Sequence, residues 1–425
     1  MYRIKIEELI AWKSKNGRKP LILNGARQIG KSWLVKHFGE NNFEGKTIVV
    51  NFELRKDLHV VFKKNLDVKR IVFELELALN LKIEIGKDLL FFDEIQTCPD
   101  ALMSLRYFYE DMPQLHLIAA GSLLDFEFRN IPFPVGRVDI MNMYPMTFFE
   151  FLLARGKENL ASILKMPSEN FQESYSQYFE DELNLYFVVG GMPEAVADFV
   201  EHQDLQRVHD IQDNLLYTYQ QDFKKYKPSV SSDCLDDILD NIVKYLGNQI
   251  IYTKLSERFT SATIKKGVDV LKTARILHLV PNVSVAGLPL TKSGKQFKLF
   301  FLDIGLLVRK SKIDYRNLYN RKELTVAFQG AIAEQFVAQQ ILASTNELQY
   351  WARTEQGASS EIDFVLETKG KILPIEVKAG RSGSLKSLHY LLEHNQHIEK
   401  AIVYSNARIG IEGKIHFVPL LLAGC

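Results

Sequence analysis

The segment Gly25-Ala26-Arg27-Gln28-Ile29-Gly30-Lys31-Ser32 has the spacing of a loop built to hold phosphate: a glycine, four residues, then Gly-Lys-Ser. Such a loop turns successive backbone N–H groups inward, and its glycines permit backbone angles and a close approach that side chains would block. Lys31 is then expected to reach the β- and γ-phosphates, and the Ser32 hydroxyl to coordinate magnesium. Trp33 follows in a helical stretch whose positive N-terminal end faces the same phosphates. The expected ligand is ATP with Mg2+, held by residues 25–33.

A second acidic element completes this chemistry. The apolar run LLFFDEI, residues 89–95, ends in Asp93 and Glu94. Asp93 is expected to hold the magnesium ion, directly or through water. Glu94 is expected to polarise the attacking water as general base. An acidic pair at a strand end also caps a following helix, and only the upstream loop favours the catalytic reading. Ser122 ends the next apolar run, where ATPases of this kind carry a polar sensor of the γ-phosphate; helix capping competes equally there. Arg137, in PVGRV, is the first candidate for an arginine finger and Arg129 the second, against a solvated surface arginine for either.

A separate constellation lies near the C-terminus. Glu361-Ile362-Asp363 sits on one strand candidate and Glu376-Val377-Lys378 on the next. Residues two apart on a strand share a face, so Asp363, Glu376 and Lys378 are placed to converge. Two carboxylates hold magnesium, and a lysine beside them activates water for phosphodiester cleavage. Glu334, on the preceding helix, adds a third carboxylate. Two exposed, charge-alternating strands give the same pattern. The apolar run ILPIEVKAG weighs against that, because burying unpaired charge is costly.

The elements that must position these groups follow from periodicity. PLILNG, KTIVVNFE, DLLFFDEI, LHLIAAGS and VDIMNMYPM are strand candidates alternating with helical stretches. That alternation predicts a parallel α/β sheet covered on both faces. Residues 147–228 read as a helical lid, with Pro228 and the following serines as a boundary. Residues 229–324 read as three short helices and a β-hairpin from His278 to about Phe301, a winged-helix pattern. Residues 325–425 read as a helix and strands, a small nuclease-like α/β unit. Residues 1–146 are then the ATPase core.

Lys254, Arg258, Lys265, Lys266, Lys272 and Arg275 gather around the second and third of those helices. They suit phosphate contacts beside a recognition helix, or a plain solvated helix face. Asp233, Asp236, Asp237 and Asp240 nearby would repel DNA if they faced it.

GARQIGKS, FFDEIQ, the Gly136-Arg137 step, YPMTFFEF and GGMPE together resemble a prokaryotic AAA-type ATPase family. In that family a C-terminal domain of unknown function follows the P-loop domain. The resemblance covers nearly the whole chain. It implies a sheet with the sensor strand between the P-loop and Walker B strands. It also implies a lid whose Gly191-Met192-Pro193 turn approaches the nucleotide, which adds Gly191 and Pro193 to the binding residues. The C-terminal half resembles a winged helix followed by a PD-(D/E)xK restriction-endonuclease-like fold, with Asp363, Glu376 and Lys378 on its motif. Ser32 stands where threonine is commoner, and either residue supplies the hydroxyl.

Composition narrows the class without choosing among functions. The 425 residues carry a net charge of +1, with 46% hydrophobic and 25% charged residues. No apolar run has the length of a membrane span, and no signal-peptide pattern opens the chain, so a cytoplasmic protein is expected. Cys98, Cys234 and Cys425 form neither a zinc spacing nor a disulfide framework. Three functions remain: an ATPase coupled to double-stranded DNA; a nucleotide-controlled switch that binds a protein partner or further copies of itself, with an inactive nuclease-like domain; and an ATP-regulated, magnesium-dependent DNA nuclease.

Overall fold

The computed structural model describes residues 1–122, 124, 136–166, 171–226, 230–314, 326–353, 360–380, 384–406 and 409–424. Arg129, Pro228 and Cys425 lie outside the described residues. The chain divides into two compact units, residues 2–144 and residues 145–425.

In the first unit, helix α1 (Lys5–Lys13) precedes strand β1 (Leu21–Asn24), helix α2 (Lys31–Asn42) and strand β2 (Thr47–Asn51). Helices α3 (His59–Lys63) and α4 (Val68–Leu79) lead to strand β3 (Leu89–Asp93). Helix α5 (Pro99–Asp111), strand β4 (His116–Gly121) and strand β5 (Asp139–Asn142) complete the unit. The sheet order is β2-β3-β4-β1-β5, and every pairing is parallel. All five strand candidates of the sequence are present. The strand ending in Ser122 lies between the P-loop strand and the acidic strand, as the resemblance implied.

Burial explains the sequence of each strand. β1, β3 and β4 are buried at every position, so both faces are apolar. Edge strand β2 alternates instead. Helix boundaries are locally encoded: Asp67 caps α4 by accepting from the Lys69 and Arg70 N–H groups, and Pro99 opens α5. Four phenylalanines pack together on one side of β3, one from the strand itself and three from the segments packed on it. Phe92 meets Phe52, Phe62 and Phe108 edge-on, with ring centroids 5.3, 5.6 and 5.9 Å away. Such pairs add about 0.5–1.5 kcal/mol each beyond area burial. They fix the strand end on which Asp93 sits.

The second unit opens with helices α6 (Phe148–Ala154), α7 (Glu158–Leu164), α8 (Ser176–Val189), α9 (Pro193–His202) and α10 (Leu205–Tyr226). Helices α11 (Ser232–Ile242) and α12 (Ser261–Thr273) follow, then a hairpin of β6 (Leu277–Ser284) and β7 (Thr291–Phe301). After α13 (Ile304–Lys310) and α14 (Val326–Thr345) come β8 (Gln349–Ala352), β9 (Glu361–Thr368) and β10 (Lys371–Lys378). Helix α15 (Lys386–His394) and strands β11 (Ala401–Ser405), β12 (Gly410–Glu412) and β13 (Ile415–Pro419) finish the chain.

Two features here differ from the sequence reading. Between α11 and α12 there are 3-10 turns, at Val243–Tyr245 and Tyr252–Lys254, instead of a middle helix. Gly247 takes a left-handed φ of 72°, and Ile250 exchanges two backbone hydrogen bonds with Phe297, which draws this stretch onto the hairpin. The hairpin also joins the C-terminal strands in one eight-stranded sheet, β12-β13-β11-β10-β9-β8-β6-β7. The Asn282 side chain on β6 seals that join, accepting from the Ala352 N–H at 2.9 Å and donating to its carbonyl at 3.1 Å. One sheet therefore crosses the boundary drawn near residue 325.

Helix α14 locks the unit together through buried glutamines. Gln335 bonds both the N–H and the carbonyl of Phe301. Gln339 accepts from Ile304 N–H and donates to Tyr186 and Asp303. Gln340 accepts from Phe148 N–H and donates to the Tyr186 hydroxyl. These bonds pair polar groups in the buried interior, where a missing partner is costly. Among the described residues no helix is long and apolar enough to cross a membrane.

Phe92→Ala is expected to destabilise residues 2–144 by about 3–5 kcal/mol, because a close-packed aromatic cluster leaves a cavity. Phe73, 54% exposed on α4, is the control. Phe73→Ala is expected to fall within about 0.5 kcal/mol of wild type in the same urea titration.

Candidate functional site

The phosphate loop leaves β1 at Asn24 and enters α2 at Lys31. Its conformation needs two left-handed residues, Gln28 at φ 62° and Gly30 at φ 87°. Gly25 is required for space. A Cβ there would meet the Ile29 side chain at 2.4 Å and the Met143 carbonyl at 2.6 Å. Ile29 and Ala26 are buried and anchor the loop. Arg3, only 3% exposed, braces it by donating to the Ile29 carbonyl at 3.0 Å and the Tyr144 carbonyl at 2.6 Å. Sequence reasoning passed over Arg3, which stands far from the motif in the chain.

The functional side chains gather at this end of the sheet. Lys31 Nζ donates to the Gly25 carbonyl at 3.0 Å and the Ala26 carbonyl at 2.6 Å. The Ser32 hydroxyl donates to Asp93 Oδ1 at 2.8 Å. Asn51, at the tip of β2, donates to the other Asp93 oxygen at 3.2 Å. Burial pushes the Asp93 carboxyl above its ordinary range; the Ser32 bond opposes this and the Glu94 charge adds to it. Glu94 holds a left-handed backbone, φ 52° and ψ 43°, and Gln96 Nε2 donates to its carboxylate at 2.5 Å. A non-glycine residue in that region is uncommon, and such residues cluster at functional sites. Arg27 Nε donates to Ser122 Oγ at 3.3 Å, which brings the end of β4 to the loop. Trp33 is exposed, its ring stacked on His37 with centroids 4.8 Å apart.

Asn51 and Gln96 escaped the sequence reading. Both carried a signal: each is a polar residue at or just beyond an apolar strand whose tip must face the same ligand.

Within residues 2–144 one predicted residue, Arg137, stands away from the loop. Arg137 precedes β5, and β5 starts level with the beginning of β1, Asp139 beside Leu21. Its guanidinium therefore stands at the sheet edge opposite the loop, 2.9 Å from Glu110. On this geometry Arg137 does not reach the loop of its own chain. Gly191 and Pro193 belong to residues 145–425. There Gly191 has its own packing reason, since a Cβ would stand 2.1 Å from the Met146 carbonyl. Its N–H donates to the buried Asp303 carboxylate at 2.6 Å, and Pro193 opens α9.

The C-terminal constellation converges, around a residue absent from the sequence reading. Lys298, on β7, is wholly buried and ion-paired with Glu334 at 3.1 Å, Glu361 at 2.5 Å and Asp363 at 3.3 Å. Asp363 Oδ2 accepts from the Val377 N–H at 2.8 Å, and Lys378 donates to Glu376 at 2.6 Å. The other Glu376 oxygen is buried without a hydrogen-bond partner. Burial, with Asp363 next, raises the carboxyls of Glu334 and Glu376 to about 8, although Lys298 and Lys378 respectively pull against this. Burial works against the Lys298 ammonium, but Glu334, Asp363 and Glu361 together hold it well above the usual lysine range. Two ammonium groups, Lys298 and Lys378, thus lie among four carboxyl groups. A divalent ion does not fit this donor set, and among the described residues no group of three or more His, Cys, Asp or Glu is arranged to hold a metal. Lys298 was signalled by its setting, a lysine inside the buried run Phe297 to Phe301.

The basic residues divide. Lys265, Lys266 and Lys272 are exposed on α12. Arg258 is engaged, with its Nε 2.8 Å from Asp237 Oδ2. Lys310 pairs with Asp240 at 2.5 Å, and Gln220 donates to Asp236 at 2.9 Å.

A nucleotide-type loop on a parallel sheet in this strand order defines a P-loop ATPase-like fold, and the family comparisons agree. A family described as an AAA domain matches residues 17–152. Two described as domains of unknown function, DUF8612 and DUF4143, match residues 180–317 and 329–422. The chain thus carries an AAA domain followed by a C-terminal DUF4143 domain. An uncharacterized protein of Methanocaldococcus jannaschii is 24% identical over 293 residues, which are 66% of this chain and 60% of that relative. The chain spans less than two thirds of the relative's length. Among solved structures, a Walker-type ATPase of Pyrococcus abyssi is 14% identical, covering 73% of this chain and 95% of its own, with a TM-score of 0.46. The RuvB Holliday junction branch migration motor of Thermotoga maritima is 14% identical over 65% of this chain and 89% of its own, with a TM-score of 0.30.

The charged centre has a signed pH dependence. Glu334 and Glu376 keep protons when folded that they release when unfolded, between the ordinary carboxyl range and about 8. Stability contributed by this centre is therefore lost as pH rises through that window. Burial holds His278 down at about 4, which acts in the opposite sense but only below its ordinary value of 6.5. Melting temperature is expected to fall between pH 6.5 and 8.5, and to fall less in Glu334→Gln and Glu376→Gln. An equal fall in all three proteins would contradict this.

Proposed function

We propose that this protein binds and hydrolyses ATP in the cytoplasm, and that residues 145–425 couple nucleotide state to a macromolecular partner, double-stranded DNA first. The observation that carries the nucleotide part is the Ser32 hydroxyl held 2.8 Å from the buried Asp93 carboxylate, beside a loop with Lys31 at its mouth. Hydroxyl and carboxylate oxygens are the hard donors that suit magnesium. Ser32 and Asp93 would hold it, and when bound it would neutralise charge on the phosphates.

The chain's own groups then have defined tasks. Backbone N–H groups of residues 25–31 bind phosphate oxygens. The Lys31 ammonium exchanges the Gly25 and Ala26 carbonyls for phosphate, a stronger, charge-assisted partner. Glu94 takes the proton of the attacking water, oriented by Gln96. Ser122 and Arg27 face the same strand ends, where Ser122 would sense the γ-phosphate.

The DNA reading rests on α12. Lys265, Lys266 and Lys272 leave three ammonium groups in solvent; of the nearby acids, Asp237 and Asp240 have cationic partners, Asp236 accepts from Gln220, and Asp233 is exposed. The switch that binds a protein partner is the second reading, and the Lys298 ammonium lodged among the C-terminal carboxylates favours it over a nuclease.

Lys31→Ala is expected to weaken ATP binding ten- to a hundredfold, the worth of about 1.5–3 kcal/mol for bonds to a charged group. Glu94→Gln is expected to keep binding and slow hydrolysis by about 10²- to 10⁴-fold. Fluorescent-nucleotide titration and phosphate release check both, and wild-type turnover in both variants would refute the site. Double-stranded DNA is expected to stimulate turnover at low salt and to lose that effect steeply as salt rises. Turnover indifferent to DNA, with nucleotide retained through purification, would select the protein-partner switch.

A further inference from the structure

Lys298 is the charged residue of an otherwise apolar strand end. Phe297, Leu299, Phe300 and Phe301 are buried beside it, and its own exposure is 0%. A lone ammonium in such a place is costly, so its partners define it. It meets carboxylates from two elements, Glu334 on α14 and both Glu361 and Asp363 on β9. The Tyr350 ring lies 5.5 Å away. Gln249 Nε2 donates to the second Glu361 oxygen at 2.5 Å, and the Val377 N–H holds the second oxygen of Asp363.

These carboxylates, with Glu376 on the strand beside β9, are the oxygen donors a divalent ion would use. Their meeting point is filled by Nζ. The wall behind Glu334 is closed as well, since a Cβ at Gly247 would stand 3.0 Å from its carboxylate. Lys378, the group that would activate water, is tied to Glu376.

We propose that Lys298 is the resident cation of this centre: its ammonium stands where a divalent ion would stand, so the wild-type C-terminal domain takes up no such metal and is not a metal-dependent nuclease. The ammonium joins the hairpin, α14 and β9 as a bound ion would, without depending on a metal supply. Removing the ammonium leaves the oxygens converging on an open point. Lys298→Met is therefore expected to create a divalent site in place of the lost cation. This inference stands apart from the nucleotide reading, since no residue of the phosphate loop enters it.

The test uses the full chain without nucleotide and Mn2+ as the probe, with free Mn2+ followed by electron paramagnetic resonance. Wild type and Asp363→Asn are expected to bind Mn2+ alike. Lys298→Met is expected to gain one site per chain, tighter than about 1 mM, the weak end for protein oxygen sites. The added site is expected to vanish in Lys298→Met with Asp363→Asn. Lys298→Arg keeps the charge and is expected to gain none. A wild-type Mn2+ site that disappears in Asp363→Asn would overturn the proposal, and this comparison decides even if Lys298→Met fails to fold. A folded Lys298→Met that gains no site would also overturn it. Magnesium-dependent plasmid cleavage by wild type that Asp363→Asn abolishes would do the same.

Discussion

The proposed nucleotide site depends on one contact, the Ser32 hydroxyl against the Asp93 carboxylate at 2.8 Å. It ties the first turn of α2 to the tip of β3, two elements that the sheet separates by the whole of β4. A carboxylate this deeply buried is unfavourable unless hydrogen-bonded. Ser32, Asn51 and the Glu94 N–H supply its bonds. The rest of the unit keeps that arrangement in place: the phenylalanine cluster under Phe92 fixes the strand, and Arg3 fixes the loop. Both cores of the contact are rigid, so a metal at this point would find its ligands already positioned.

The same physics, applied in the second unit, gives a different outcome. There too carboxylates converge from a helix and a strand, and there too burial raises their proton affinity. The difference is a positive charge supplied from within. Asp93 has neutral donors around it. Glu334, Glu361 and Asp363 have Lys298. The two clusters of acids thus differ in their third partner rather than in the acids.

Much of the first unit was legible because its signals are local. A phosphate loop needs fixed spacing between Gly25 and Ser32, and buried strands need continuous apolar runs, so all five strands could be placed. Arg137 lies away from its own chain's loop because the parallel sheet puts the start of β5 at the end opposite that loop, a placement that proximity in sequence does not encode. In the second unit Asp363, Glu376 and Lys378 were found by strand alternation, and Glu334 on the helix before those strands. Lys298 was missed, though a lysine among phenylalanines is itself a signal that a buried partner exists. The glutamines of α14 and the joining of hairpin and C-terminal strands into one sheet were beyond reach. Those depend on pairings between residues tens of positions apart, which no local pattern encodes.

The central claim is that loop and acidic strand tip act on one metal-bound nucleotide. Calorimetric titration of a non-hydrolysable ATP analogue, with and without Mg2+, into wild type and Asp93→Asn tests it most directly. The account predicts that Mg2+ tightens binding in wild type and that Asp93→Asn removes this gain while keeping the metal-free affinity. A wild-type chain that binds no nucleotide, or a Mg2+ gain undiminished in Asp93→Asn, would contradict it.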